Sequence, residues 1–132
     1  MEFTTYTLPN GIRAVHLPVK GSVAHLGIII NAGSKNEKTE EHGIAHLTEH
    51  MLFKGTKNRK SYHILSRIDD VGGELNAYTT KEETAIHASV LTEHYERALE
   101  LIKDIVFNSV FPPKEIEKEK EVILEEINAY RD

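Results

Sequence analysis

His46-Leu47-Thr48-Glu49-His50 lies near the middle of the chain, and reading it as a turn of helix decides what the rest must build around. Imidazoles four residues apart on a helix share one face, a turn apart, close enough to hold one metal ion. Glu49 hangs beside that face, placed to accept a proton without being a ligand. The order H-x-x-E-H reverses the commoner H-E-x-x-H signature of zinc peptidases and points to peptide hydrolysis by a zinc-bound water. Five residues are a short pattern, so a third ligand and a burial context are what give it weight.

Working outward, the pattern predicts a first helix over residues 41–53. Its apolar residues Ile44, Ala45, Leu47, Met51 and Leu52 spread around most of the circumference, which predicts a buried helix. Upstream, residues 3–8 and 12–17 read as strands joined at Pro9-Asn10-Gly11, with Asn-Gly suited to a two-residue hairpin turn. Val23–Ile30 reads as the next strand, with Ile28-Ile29-Ile30 buried on both faces, and 31–41 as a polar loop. Downstream of the motif, 54–60 is a basic, glycine-containing loop. Ser61 is the expected N-cap of a second helix that ends before Gly72-Gly73. Residues 74–79 and 84–91 read as two strands. Thr92 is the expected cap of a third helix with Tyr95, Leu99, Ile102 and Val106 on one face. A fourth helix starts at the proline pair 112–113 and reaches Tyr130 or beyond. Mixed strands and helices with hairpins make the class α+β, a largely antiparallel sheet packed against helices.

The chain has 132 residues, enough for one domain with a real core. It has no cysteine, so a disulfide framework is excluded and any metal must be held by His and carboxylates. That ligand set suits a catalytic zinc better than a structural one. No leader pattern opens the sequence and the longest apolar run is too short to span a bilayer, so no membrane is expected and the expected location is cytoplasmic. A net charge of −5 without a basic patch argues against nucleic-acid binding.

Zinc on two histidines needs a further protein ligand and an open position for water. On the fourth helix Ile116, Val122, Ile123, Ile127 and Tyr130 form a stripe, and Glu119 and Glu126 fall inside it while Glu117, Glu121 and Glu125 fall outside. Buried, unpaired carboxylates are costly. Taken alone, this helix is read more readily with both glutamates paired to Lys or His in the core. Taken with the histidine pair, Glu126 becomes the expected third ligand, and Glu119 a supporting or transition-state group. His42, one turn before His46, lies on the wrong side of it. His16, His25, His63, His87 and His94 read as surface or satisfied residues, with His87 facing away from Ile86 and Ala88. Lys54, Lys57, Arg59 and Lys60 read as a solvated basic loop, and Gly72-Gly73 as a turn.

Longer stretches extend the match. Leu8-Pro9-Asn10-Gly11, Ala32-Gly33-Ser34, Gly43 to Met51, Phe53-Lys54-Gly55-Thr56, Gly72 to Thr79 and Glu119 to Glu126 together resemble the N-terminal part of the pitrilysin-type (M16) zinc peptidases, in their order and through nearly the whole chain. The style is similar to that of the shorter bacterial members and of the β subunit of mitochondrial processing peptidase. The resemblance implies the metallohydrolase fold of that family, with residues 1–132 as an N-terminal catalytic part of a larger domain. It implies one Zn2+ on His46, His50 and Glu126, Glu49 as general base, and Glu119 as an additional catalytic acid. Asn76, Ala77 and Tyr78 resemble the strand edge that takes the peptide substrate as an extra strand. A second family domain or a partner subunit, a homodimer included, is implied to close the chamber. The function so implied is zinc-dependent endopeptidase action on peptides or unstructured segments. The rival reading is a non-catalytic subunit or homologue that binds metal or substrate without turnover.

Overall fold

Strand Thr84–Leu91 is the axis of the molecule: Thr84, Ala85, Ile86, Ala88 and Val90 are all buried. The computed structural model describes residues 2–131. In chain order the elements are β1 (Thr4–Thr7), β2 (Arg13–His16), β3 (Val23–Ile30), α1 (Ile44–Met51), α2 (Ser61–Asp69), β4 (Glu74–Thr79), β5 (Thr84–Leu91), α3 (Tyr95–Asn108) and α4 (Pro113–Arg131). β5 pairs antiparallel with β3 on one side and with β4 on the other, while β1 and β2 form a separate hairpin. The alternation of β5 sends Ile86, Ala88 and Val90 to one face, where α2 and α3 cover them with Ile64, Ile68, Ala98, Leu101, Ile102 and Ile105. His87 points to the opposite, exposed face, as its alternation requires. The class is α+β with antiparallel sheets, as the pattern of elements predicts.

Several local expectations are corrected. β3 is not buried on both faces. It is an edge strand covered on one side only, so Leu26 and Ile28 pack on the core while Ile29 is 64% exposed. The hairpin turn has three residues rather than two. Pro9 fixes a negative φ, the amide of Gly11 donates to the carbonyl of Leu8 at 2.9 Å, and only Gly11 takes positive φ, at 90°. α1 is shorter and less enclosed than its all-round apolar pattern predicts: of its residues only Met51 is buried, and Ile44 is exposed. Left-handed Gly43 (φ 90°) delays its start, and the Glu37 carboxylate accepts from the amides of Gly43 (3.3 Å) and Ala45 (2.7 Å).

Ser61 is the first residue of α2 and not its cap; its hydroxyl donates instead to the carbonyl of Phe53 at 2.7 Å. Thr92 opens a short 3-10 turn before α3 without capping it, and the buried face is Ala98, Leu101, Ile102 and Ile105, leaving Tyr95 and Leu99 exposed. On α4, Ile123 is buried but Val122 and Ile127 are exposed, because α4 packs chiefly on α1 and so covers a narrower stripe than the sequence offers. The side chain of Tyr130 lies outside the described residues. Along the same helix, Glu115–Lys118 and Glu117–Lys120 pair at i,i+3.

The basic loop is only partly solvated. Arg59 Nη1 donates to Asp104 Oδ2 at 2.9 Å and its Nη2 reaches Glu100 at 3.0 Å, tying the loop to α3. Asp104 is 3% exposed and also accepts from Thr56 Oγ1 (2.7 Å), Asn58 Nδ2 (2.6 Å) and Asn108 Nδ2 (3.0 Å). Burial opposes its charge, but these donors and the guanidinium together hold the carboxyl below the usual carboxylate range. A depressed folded pKa contributes stability that is present above about pH 4 and is lost as pH falls through the folded value. Asp104→Asn is expected to lower unfolding free energy at pH 7 by about 3 kcal/mol. Urea midpoints should show that gap narrowing at pH 3; an equal gap at both pH values would rule out a contribution from the charge.

Candidate metal centre

α1 and α4 lie side by side, and this brings the histidine pair to the carboxylates of the last helix. His46 and His50, one turn apart, present their Nε2 atoms to each other at 3.1 Å. Glu126 Oε2 stands 3.1 Å from His46 Nε2 and 3.7 Å from His50 Nε2. Among the described residues, these are the three whose donor atoms converge closely enough to hold one cation. Four-coordinate zinc with ligands at about 2.0–2.1 Å places neighbouring donors roughly 3.3 Å apart, so the donor atoms and their gaps fit that ion. Two imidazoles and one carboxylate also suit it chemically, with neither too many charges nor any thiolate. The site is open on one side, with the His46 and Glu126 side chains 38% and 40% exposed.

Glu119, two turns before Glu126, does not point into the donor cluster. Its Oε2 accepts from His50 Nδ1 at 2.8 Å, and its Oε1 pairs with Lys54 Nζ at 2.9 Å. A carboxylate on Nδ1 fixes the His50 tautomer with its proton there, which leaves the Nε2 lone pair facing His46 and Glu126. Burial works against the charge of Glu119, whose side chain is 10% exposed. The hydrogen bonds of His50 and Lys54 and the lysine charge outweigh it and hold the carboxyl below its usual range. The pairing with His and Lys that α4 alone suggested therefore holds for Glu119, while Glu126 faces both imidazoles.

Glu49 lies outside the donor set. Its Oε2 accepts from Thr79 Oγ1, the last residue of β4, at 2.7 Å. β4 is an edge of the three-stranded sheet among the described residues and packs beside α1, with Asn76 and Tyr78 outward and Ala77 toward the core cluster. Glu125 is exposed, and His42 lies before α1 and outside the donor set. None of His16, His25, His63, His87 or His94 joins that set; His25 Nδ1 meets Ser89 Oγ at 2.7 Å instead.

Three supporting residues escaped the sequence: Glu37, Lys54 and Thr79. The basic pattern around Lys54 reads as a solvated loop, and nothing in a linear pattern pairs it with a carboxylate far along the chain. Glu37 offered a weak signal, an acid shortly before a helix start. For Thr79 there was none.

An α+β domain with two imidazoles on one helix and a carboxylate on the helix beside it has a candidate metal centre. Residues 15–132 match the protein family described as Insulinase (Peptidase family M16), and the chain belongs to that family. It is 44% identical over 129 residues to an uncharacterized zinc protease of Bacillus subtilis, covering 96% of this chain and 31% of that protein. It is 43% identical over 127 residues to the probable mitochondrial-processing peptidase subunit beta of Arabidopsis thaliana, covering 96% of this chain and 24% of that one. Among solved structures, a protease from Helicobacter pylori superposes with a TM-score of 0.91 at 30% identity, over 95% of this chain and 30% of the other. The chain thus spans about a quarter to a third of the length of such relatives. Among the described residues, no helix is long and apolar enough to cross a membrane.

Proposed function

We propose that this chain is the metal-bearing, N-terminal catalytic part of a zinc-dependent endopeptidase acting on peptides or unstructured protein segments. The observation that carries the reading is the convergence of His46, His50 and Glu126 on one point, with donor gaps that suit zinc. Family membership and the zinc-protease name of the Bacillus relative support it. A Zn2+ ion bound there supplies a water acidified toward neutrality and a Lewis acid for the scissile carbonyl.

The chain's own residues do the rest. Glu119 keeps the His50 proton on Nδ1 so that Nε2 remains a donor to the metal. Thr79 occupies Glu49 Oε2, which leaves Oε1 to take the proton of the attacking water and pass it to the leaving amine. The substrate backbone adds to the open edge of β4 along Asn76, Ala77 and Tyr78, and Thr79 at the end of that strand ties the docked peptide to the base. A second family domain or partner subunit closes the chamber over this edge. The test is a peptide-cleavage assay of the full-length protein with and without chelator. Loss on chelation and recovery with zinc are expected. Stoichiometric zinc without cleavage would instead support a non-catalytic subunit.

Thr79→Val is expected to lower kcat about tenfold, the value of one hydrogen bond to a charged group, with zinc content and KM little changed. An unaltered kcat would remove Thr79 from the mechanism.

A further inference from the structure

Lys54 stands just beyond α1, its backbone N–H donating to the carbonyl of Met51 at 3.1 Å and followed by Gly55 (φ 132°), which pairs with Lys60 across the loop. Its ammonium reaches α4 and meets Glu119 Oε1 at 2.9 Å, while the other oxygen of the same carboxylate holds His50 Nδ1 at 2.8 Å. Each oxygen of this nearly buried carboxylate thus has its own partner, and the two partners fix the plane and rotamer of the group. Without the ammonium, Oε1 would be a buried charged oxygen lacking a donor. The side chain would then gain by turning toward water and releasing His50.

We infer that Lys54 is a positioning residue for the metal centre: through Glu119 it holds the His50 ring with Nδ1–H donated and Nε2 aimed at His46 and Glu126. The inference rests on the metal reading above and extends it by one residue. The competing explanation is that Lys54–Glu119 only staples the end of α1 to α4. The two differ in what His50 does when the staple is cut conservatively.

Zinc affinity of the metal-free full-length protein, measured by competition with a chelating dye, and the 15N signals of labelled His50 separate them. Lys54→Met is expected to weaken zinc binding about tenfold or more, the usual cost when a ligating histidine loses its outer partner, here Glu119 turned away from His50. The His50 signals should move from the Nδ1-protonated pattern to an exchanging mixture. Lys54→Arg retains a charge and donors at this single-point contact and should stay within about threefold of wild type. If Lys54→Met does not fold by circular dichroism, Lys54→Gln takes its place with the same expectations. Affinity within about twofold of wild type and unchanged His50 signals in the neutral variant would overturn the inference and leave the metal reading standing. Failure of the wild-type protein to bind zinc would sink the metal reading, and this inference with it.

Discussion

Replacing Glu49 by Gln in the full-length protein is expected to leave one zinc bound and to lower peptide cleavage by about 10²–10⁴-fold. Glutamine is nearly isosteric and can still accept from Thr79 Oγ1, so the tie to β4 survives. What disappears is the oxygen able to take a proton from water. Glu49 stands outside the three-donor set, so its change does not subtract a ligand. The measurement is paired: elemental analysis for zinc, and initial rates on a reporter peptide. Normal cleavage by the Gln variant would remove the general-base role. Loss of zinc along with activity would mean that Glu49 binds metal, and the donor set would need redrawing.

His50→Ala should be more severe for the metal. It removes one of two imidazoles and also strips Glu119 of the partner on its Oε2. Losing only a supporting residue costs roughly 10–100-fold in metal affinity, so losing the ligand should exceed about a hundredfold. Zinc content after dialysis should fall to background. Two neighbouring glutamates provide an internal comparison. Glu126→Gln should lose zinc as well, since that carboxylate faces both Nε2 atoms, whereas exposed Glu125→Gln should keep it. Equal behaviour of the two variants would mean that α4 is rotated from the position described.

Much of this site was legible in one dimension because a helix converts spacing into direction. Two histidines four apart must share a face, and on α4 the apolar residues separate Glu119 and Glu126 from Glu125 by angle alone. The strands β3, β4 and β5 were equally plain, since alternating or continuous apolar runs between turn residues leave little choice. Burial was read less well. The same apolar wheel positions served for Ile123, which is buried, and for Val122 and Ile127, which are not. A periodic pattern states which side can be covered, and only the packed neighbour states how much of it is.

The sequence by itself determined the α+β class, the order of the elements, and the residues able to hold a divalent cation, because those follow from local period and side-chain chemistry. Tertiary structure alone decided that α1 and α4 lie side by side. That contact turns three scattered donors into one cluster and divides Glu119 between His50 and Lys54, while the packing of α1 beside β4 hangs Glu49 from Thr79 at the sheet edge. These are contacts between residues 30 to 80 positions apart, whose partners are selected by packing of the intervening core. No spacing rule reaches across such a distance.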